Sequence, residues 1–160
     1  MKHTISCLVR NEPGVLAHVA RRFGDEHINI YSLAAGTTED DAISRMTIVV
    51  DGDDATVAHV EQIIQGLPNV LEVQDLAGEQ FFARELLLVK VAVVPASIGR
   101  LMQMAEMFDA RVIGVSARTM TLELAADEQR INAMLRLLEP MEIISVARSG
   151  RIAVAAGDRG

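Results

Sequence analysis

Hydrophobic and polar residues in the first half of the chain follow two periods, one of about two residues and one of about 3.6. The short period predicts strands at residues 4–9, 28–35, 44–50 and 70–76. The helical period predicts a helix at residues 13–23, which Gly24 ends, and another after Asp53 and Asp54. The residues expected to face inward are Val15, Leu16, Val19, Ala20 and Phe23 on the first helix, and Val57, Val60, Ile64 and Leu67 on the second.

The second half of the chain repeats this order of elements. Strands are predicted at residues 85–94, 111–116, 119–124 and 142–147, and helices after Ser97 and Asp127. The inward residues are expected to be Ile98, Leu101, Met102, Ala105 and Phe108 on the first of these helices, and Ile131, Met134, Leu135 and Leu138 on the second. Residues after about Val154 are predicted to be loose.

Each half therefore has the order β-α-β-β-α-β, which is that of the ferredoxin-like split βαβ unit. We predict an α+β fold of two such units in tandem, residues 1–77 and 82–160, joined by Ala77-Gly78-Glu79-Gln80. Several strands are apolar on both faces, and Leu87 and Val89 alternate with Leu86 and Leu88. Because helices cover only one face of such a sheet, pairing with another copy is the simplest cover for the other, and predicts at least a homodimer.

Composition narrows the class of protein. The single cysteine, Cys7, allows no disulfide within the chain and suits a buried strand position, so a cytoplasmic protein is expected. The apolar runs are too short to span a membrane, and the N-terminus has no signal-peptide pattern. Residues 1–80 carry five basic and thirteen acidic side chains, and the chain has no Trp and one Tyr, which argues against nucleic-acid binding.

Motifs for catalysis and metal binding are missing from the sequence. The four histidines, His3, His18, His27 and His59, do not have the spacing of metal ligands. There is no phosphate-binding glycine loop, no dinucleotide fingerprint and no nucleophile with a matching base. We expect no catalytic residue, no metal site and no cofactor on this chain, so an enzyme of ferredoxin-like fold is disfavoured.

The segment Asn11-Glu12-Pro13-Gly14-Val15-Leu16 carries the candidate binding chemistry. Pro13 suits the first helical position, and Gly14 would then lie inside the first helical turn. The N–H groups of Gly14, Val15 and Leu16 would lack helical partners, and the bare glycine would let a carboxylate approach them. The alternative is an ordinary helix cap, in which Asn11 closes the helix and Gly14 is incidental.

This segment, followed by Asn29-Ile30-Tyr31-Ser32-Leu33, resembles the ACT domain of the acetohydroxyacid (acetolactate) synthase small subunit. The resemblance continues through Ser44-Arg45-Met46-Thr47-Ile48 and Arg84-Glu85-Leu86 to Ala147-Arg148-Ser149-Gly150, and so covers about the whole chain. One departure lies beside the candidate site, where Glu26-His27-Ile28 stands in place of the family's usual Arg-Gly-Tyr.

The resemblance implies a regulatory subunit without catalysis of its own, which acts in the synthesis of valine, leucine and isoleucine. Such a subunit binds a large catalytic subunit, on which thiamine diphosphate, FAD and Mg²⁺ are expected. It raises the activity of that subunit and makes it subject to feedback inhibition by a branched-chain amino acid, usually valine.

Valine suits the segment because it is a zwitterion with an apolar tail. Its carboxylate would bind the helix N–H groups, and its ammonium would bind the Asn29 side-chain oxygen or a strand-end carbonyl of a partner subunit. Asn29 could instead bond its own backbone as a turn residue. The candidate site, shared between two subunits, comprises Asn11, Gly14, Val15, Leu16, Asn29 and Ile30.

A rival function is a stand-alone ACT protein that senses an amino acid for another enzyme or a transcription factor. The Arg148-Ser149-Gly150 ending and the lack of a DNA-reading helix favour the synthase subunit.

Overall fold

The computed structural model describes residues 2–78 and 80–157, and its residues group into two units. Residues 2–82 form the first unit together with residues 151–157, and residues 83–150 form the second. The expected division gave the whole C-terminal segment to the second unit, whereas the contacts place residues 151–157 with the first. Of the expected linker, Glu79 lies outside the described residues, and Gly78 lies in a turn with a φ of +89°.

The first unit is an antiparallel four-stranded sheet with two helices. Its elements are β1 (Lys2–Arg10), α1 (Val15–Asp25), β2 (Ile30–Thr37), β3 (Ile43–Asp51), α2 (Asp54–Gln65) and β4 (Val70–Asp75). The strand order is β2-β3-β1-β4, so β2 and β4 are the outer strands of this path. Asp53 caps α2, because its side chain accepts a hydrogen bond from the N–H of Thr56.

The core of the first unit lies between one face of the sheet and both helices. Alternate residues of β1 and β3 meet the buried faces of α1 and α2 there, namely Ile5, Cys7, Val9, Met46, Ile48, Val50, Val15, Val19, Phe23, Val57, Val60 and Ile64. Cys7 is buried as expected, and this burial raises the pKa of its thiol to about 11. The expected inward positions of Leu16 and Ala20 are wrong, because both are exposed. The buried face of α1 is narrower than predicted and consists of Val15, Val19 and Phe23, which are spaced four residues apart.

The opposite face of this sheet carries hydroxyl side chains and is covered by the end of the same chain. Thr4 and Ser6 on β1 and Thr47 on β3 are buried there. Strand β9 (Ile152–Ala155) contacts β1 and β3, and its Ala153 is buried. The sequence did not predict β9, because its four residues are too few for a convincing period.

The second unit repeats the order of the first. Its elements are β5 (Phe81–Ala92), which begins in the first unit, α3 (Ile98–Phe108), β6 (Arg111–Val115), β7 (Thr119–Ala126), α4 (Glu128–Leu138) and β8 (Ile143–Arg148). The strand order is β6-β7-β5-β8, and β9 also pairs with β5. The predicted fold of two ferredoxin-like βαββαβ units is thereby confirmed.

The core of the second unit packs Leu87, Val89 and Val91 of β5 against α3 and α4. The expected inward positions of Ile98 and Met102 are wrong, since both are exposed while Leu101 and Met104 are buried. At the edge of this core, Arg148 binds the buried Glu85 through two hydrogen bonds, of 2.5 Å from Nε and 2.8 Å from Nη2. No described helix has the length and apolar character needed to cross a membrane.

Candidate functional site

Gly14 is the cap residue that precedes α1, and its conformation explains why it is glycine. Its φ is +89° and its ψ is −10°, in the left-handed region that side chains with a Cβ avoid. Pro13 and Gly14 lie in a turn and α1 begins at Val15, so the expectation that Gly14 lies inside the first helical turn is wrong. A Cβ built on Gly14 would meet no described atom within 4 Å, so the space beside it is open.

No side chain of the described residues caps the N-terminus of α1. The N–H of Val15 makes a long turn bond of 3.4 Å to the carbonyl of Glu12, and the first helical bond, from His18 to Gly14, measures 3.0 Å. Within residues 2–78 and 80–157, the N–H groups of Leu16 and Ala17 have no hydrogen-bond acceptor. Among the N–H groups expected to lack partners, that of Val15 therefore has a weak one, the carbonyl of Glu12. Ala17 supplies a further N–H without an acceptor that the sequence did not predict.

Asn11 anchors a loop and does not cap the helix. Its side-chain Nδ2 donates to the carbonyl of Asp41 at 2.8 Å, and its backbone N–H donates to the carbonyl of Ala42 at 2.8 Å. The alternative in which Asn11 closes α1 is therefore wrong. Asn11 instead ties the β2–β3 loop to the glycine turn, and so fixes the direction from which the chain enters α1.

Asn29 and Ile30 stand at the start of β2. Asn29 is exposed, and its side chain has no hydrogen-bond partner among the residues that the structure describes. The alternative in which Asn29 bonds its own backbone is therefore not seen. Ile30 is half-buried against the core of the first unit, so only part of its side chain is available to a ligand.

A single chain does not bring the two halves of the site together. Gly14 precedes α1 and Asn29 follows its C-terminal cap, Glu26, so the helix of eleven residues separates them by about 16 Å. The strand register gives the same result. Arg10, four residues before Gly14, pairs with Ile43 at one end of the sheet. Ile30, which follows Asn29, pairs with Val50 at the other end, where Val50 also pairs with His3. Gly14 and Asn29 therefore lie at opposite ends of the first unit.

The outer strand β2 and the neighbouring helix carry exposed apolar side chains. Leu16 is 47% exposed and Tyr31 is 48% exposed. The Lys2 ammonium lies over the Tyr31 ring, 3.4 Å from its centroid. Leu16 is therefore accessible to the apolar part of a ligand, as its place in the candidate site requires. The side chain of Val15 is buried in the core, so only its backbone could contact a ligand.

The described residues contain no cluster of three His, Cys, Asp or Glu side chains that could hold a metal ion. His18 and His59 are both exposed, and His59 Nε2 lies 3.1 Å from Glu26 Oε2, at the far end of α1 from the glycine turn.

Family models match most of the chain. Residues 5–72 match the model described as the AHAS small subunit-like ACT domain. Residues 84–157 match the model described as the small subunit of acetolactate synthase.

Individual relatives agree over the full length. The chain is 40% identical over 159 residues to the probable acetolactate synthase small subunit of Archaeoglobus fulgidus, with 99% of each chain covered. It is 41% identical to the acetolactate synthase small subunit of Aquifex aeolicus, covering 96% of this chain and 80% of that one. The crystal structure of the acetolactate synthase small subunit from Thermotoga maritima superposes with a TM-score of 0.90 at 30% identity, covering 99% of each chain.

Proposed function

This chain belongs to the acetolactate synthase small-subunit family, and on that premise we propose that it regulates the synthase by binding its large catalytic subunit. In this proposal the chain raises the activity of the large subunit and makes it sensitive to inhibition by valine. Thiamine diphosphate, FAD and Mg²⁺ belong to the large subunit, and this chain supplies no catalytic group.

The observation that carries the valine proposal is the open N-terminus of α1. The N–H groups of Leu16 and Ala17 point out of a helix end that carries a partial positive charge, and no side chain in residues 2–78 and 80–157 caps them. The left-handed Gly14 leaves room for an anion directly beside them. A carboxylate is complementary to such a helix start in both charge and hydrogen bonding.

The positions of the two halves favour a site built from two copies of the chain. An antiparallel pairing of the outer strands β2 around a two-fold axis would bring Gly14 of one copy towards Asn29 of the other. Two equivalent sites would then form, each with a helix start from one subunit and a strand start from its partner. This pairing would cover the exposed Leu16 and Tyr31. Covering them is favourable because it removes apolar surface from water.

Each part of valine has a complementary group in that arrangement. The carboxylate binds the N–H groups at the start of α1, and the ammonium donates to the Asn29 side-chain oxygen, which has no partner in the described part of the chain. Leu16 and the exposed part of Ile30 contact the isopropyl group. Because the site is completed only by pairing, valine stabilises one relative orientation of the two copies, and this gives it a means of changing the activity of a bound enzyme.

Reconstitution tests this proposal. The purified chain should produce no acetolactate from pyruvate when thiamine diphosphate, FAD and Mg²⁺ are present. Added to its cognate large subunit, it should raise kcat, and valine should then inhibit the complex while leaving the large subunit alone unaffected. Turnover by the chain alone, or a verified cognate large subunit left unchanged, would refute the proposal, and the latter result would favour the stand-alone sensor.

A further inference from the structure

The two units share one register from β1 to β2 and from β5 to β6. Adding 82 to a residue number between 5 and 32 gives its counterpart in the second unit. The non-glycine residues with a left-handed backbone, His27 at a φ of +57° and Asp109 at +56°, are counterparts in this sense. The hydrogen bonds that follow α1 and α3 correspond too, since their carbonyl acceptors are Phe23 and Ala105. The buried residues correspond in the same way, namely Ile5 and Leu87, Cys7 and Val89, Val9 and Val91, and Val19 and Leu101.

The repeat extends to exposed apolar side chains on the first helix and the outer strand of each unit. Both helices carry them on a flank that the core leaves uncovered, and both outer strands carry one where the strand register shifts. The corresponding residues, all exposed, are Leu16 and Ile98, Ala20 and Met102, and Tyr31 and Ile113. Single exposed apolar residues are ordinary, but the same set at the same positions of both units indicates a shared role.

In the second unit these side chains lie on one side, that of the outer strand β6. The carbonyl of Met107 accepts a hydrogen bond from Arg130 of α4 at 3.3 Å, so this flank of α3 faces α4. Ile98 precedes Met107 by nine positions, which is about 180° around a helix of 3.6 residues per turn, and therefore faces away from α4. Because α3 connects β5 to β6 whereas α4 connects β7 to β8, the flank away from α4 is the one beside β6. Ile98, Met102 and Ile113 thus form one apolar surface, which we call the β6 surface.

The second unit does not repeat the groups proposed to bind valine in the first. The counterpart of Gly14 is Ala96, which lies in a 3₁₀ turn. The counterpart of Asn29 is Arg111, whose Nη1 lies 3.5 Å from Glu123 Oε1, so a cation with an acidic partner replaces an acceptor for an ammonium. The β6 surface therefore keeps the exposed apolar side chains of the first unit without its candidate ligand groups.

We infer that the β6 surface binds the same surface of a second copy of this chain, and that it does so without a ligand. A two-fold axis near the middle of β6 places Ile113 beside its own counterpart and covers Ile98 and Met102. The charges at the two ends of β6 are complementary, since Asp109 before the strand and Arg118 after it are both exposed. Antiparallel pairing brings Asp109 of one copy towards Arg118 of the other. The comparison takes the proposed pairing of β2 as its model, but the β6 surface requires neither that pairing nor valine.

Sedimentation of charge variants of the full chain tests the surface, with circular dichroism to check that each variant is folded. Ile113→Lys should weaken self-association at least tenfold, because it places a charge on a surface that pairing buries, and Met102→Lys should act in the same direction. Ile144→Lys is the matched control and should leave self-association unchanged, since Ile144 is 49% exposed on the other outer strand, β8, against 47% for Ile113. Self-association that Ile113→Lys and Met102→Lys leave unchanged overturns the inference. If these variants instead abolish only the activation of the large subunit, the surface binds that subunit and the inference is also wrong.

Disulfide formation near the two-fold axis tests the geometry and separates this inference from the proposed function. The single native cysteine, Cys7, is buried, so the thiol introduced by Ile113→Cys is the exposed one. In a chain that also carries Leu16→Lys, and without valine, Ile113→Cys should form a covalent dimer with glutathione disulfide at least tenfold faster than Ile144→Cys does. Equal rates overturn the inference even if the wild-type chain binds valine. Fast linkage in a chain that binds no valine supports the β6 surface and refutes only the proposed valine site.

Discussion

At the scale of single residues, Gly14 meets two requirements at once. Its φ of +89° needs a residue without a Cβ, and the open space beside it exposes the backbone at the start of α1. A substitution there changes both backbone strain and access to the helix end, but it meets no clash within the described chain.

Gly14→Asp should abolish valine binding while preserving activation of the large subunit. The carboxylate would fill the space that the ligand carboxylate needs and would repel it. The left-handed backbone should cost about 1–2 kcal/mol of stability, which a small domain withstands. Calorimetric titration with valine and chemical denaturation check the two effects, with Gly14→Ala as the control for strain without charge. Unchanged valine affinity in folded Gly14→Asp would place the ligand elsewhere.

His27→Gly should stabilise the chain by about 0.5–1 kcal/mol. His27 has a φ of +57°, and relief of that left-handed strain outweighs the added backbone entropy of glycine in the unfolded chain. Its ring contributes one exposed contact of 3.2 Å, from Nδ1 to the carbonyl of Asp25. Urea denaturation measures the change, and His18→Gly, within α1, should lower stability instead. A loss of stability in His27→Gly would show that the ring contact matters more than the strain.

Sequence alone indicated which residues surround the glycine turn but not their conformations. The family resemblance selected Gly14 and Asn29. The positive φ of Gly14, however, produces no periodicity or residue spacing from which a sequence pattern could predict it. Asn11 was assigned to the ligand, whereas its bond to Asp41 depends on a loop thirty positions away. Partners this distant depend on the folded sheet, and local pattern does not determine them.

At the scale of elements, the helix starts differ in how they are closed. Asp53 and Asp127 cap α2 and α4 through hydrogen bonds to N–H groups three positions later, of 2.9 Å and 2.8 Å. The hydrogen bonds from the N–H and hydroxyl of Thr56 also hold the pKa of Asp53 below its usual value. Among the helices of residues 2–78 and 80–157, only α1 combines an uncapped start with a left-handed glycine, and the proposed valine site depends on this difference.

Asp127→Ala should lower the free energy of unfolding by about 1 kcal/mol, because the N–H of Arg130 loses its acceptor. Asp127→Asn should be nearly neutral, since asparagine caps equally well. Thermal and urea denaturation of both variants provide the comparison. Equal loss in the two would mean that the charge at the helix end, and not the capping bond, carries the effect.

Periodicity predicted the elements well where they were long and one-sided. The order of strands and helices followed from alternation and from the caps at Asp53 and Asp127. The start of α1 was placed two residues early because Pro13 fits a helix start and a turn equally well. Gly24 proved to lie within α1, since its helical bonds and the packing of Phe23 outweigh the weak preference of glycine.

At the scale of the whole molecule, we expect the chain to form at least a dimer at micromolar concentration. Sedimentation equilibrium should give at least twice the 17.4 kDa mass of one chain. Leu16→Lys should weaken the association at least tenfold, because it places a charge on the apolar surface that pairing would bury. Leu71→Lys is the matched control, since Leu71 is 48% exposed on the other outer strand, β4, against 47% for Leu16. A wild-type monomer, with or without valine, would refute both the dimer and the shared site.

The return of the chain end to the first unit sets an order of events during synthesis. The first unit is not continuous in sequence, so its hydroxyl-bearing sheet face stays open until residues 151–157 have left the ribosome. Residues 83–150 must be made in the meantime, which takes about 3–14 s at roughly 5–20 residues per second. The unit that is translated first is therefore completed last, and a nascent chain interrupted before Arg151 would present an unfinished surface to chaperones and proteases.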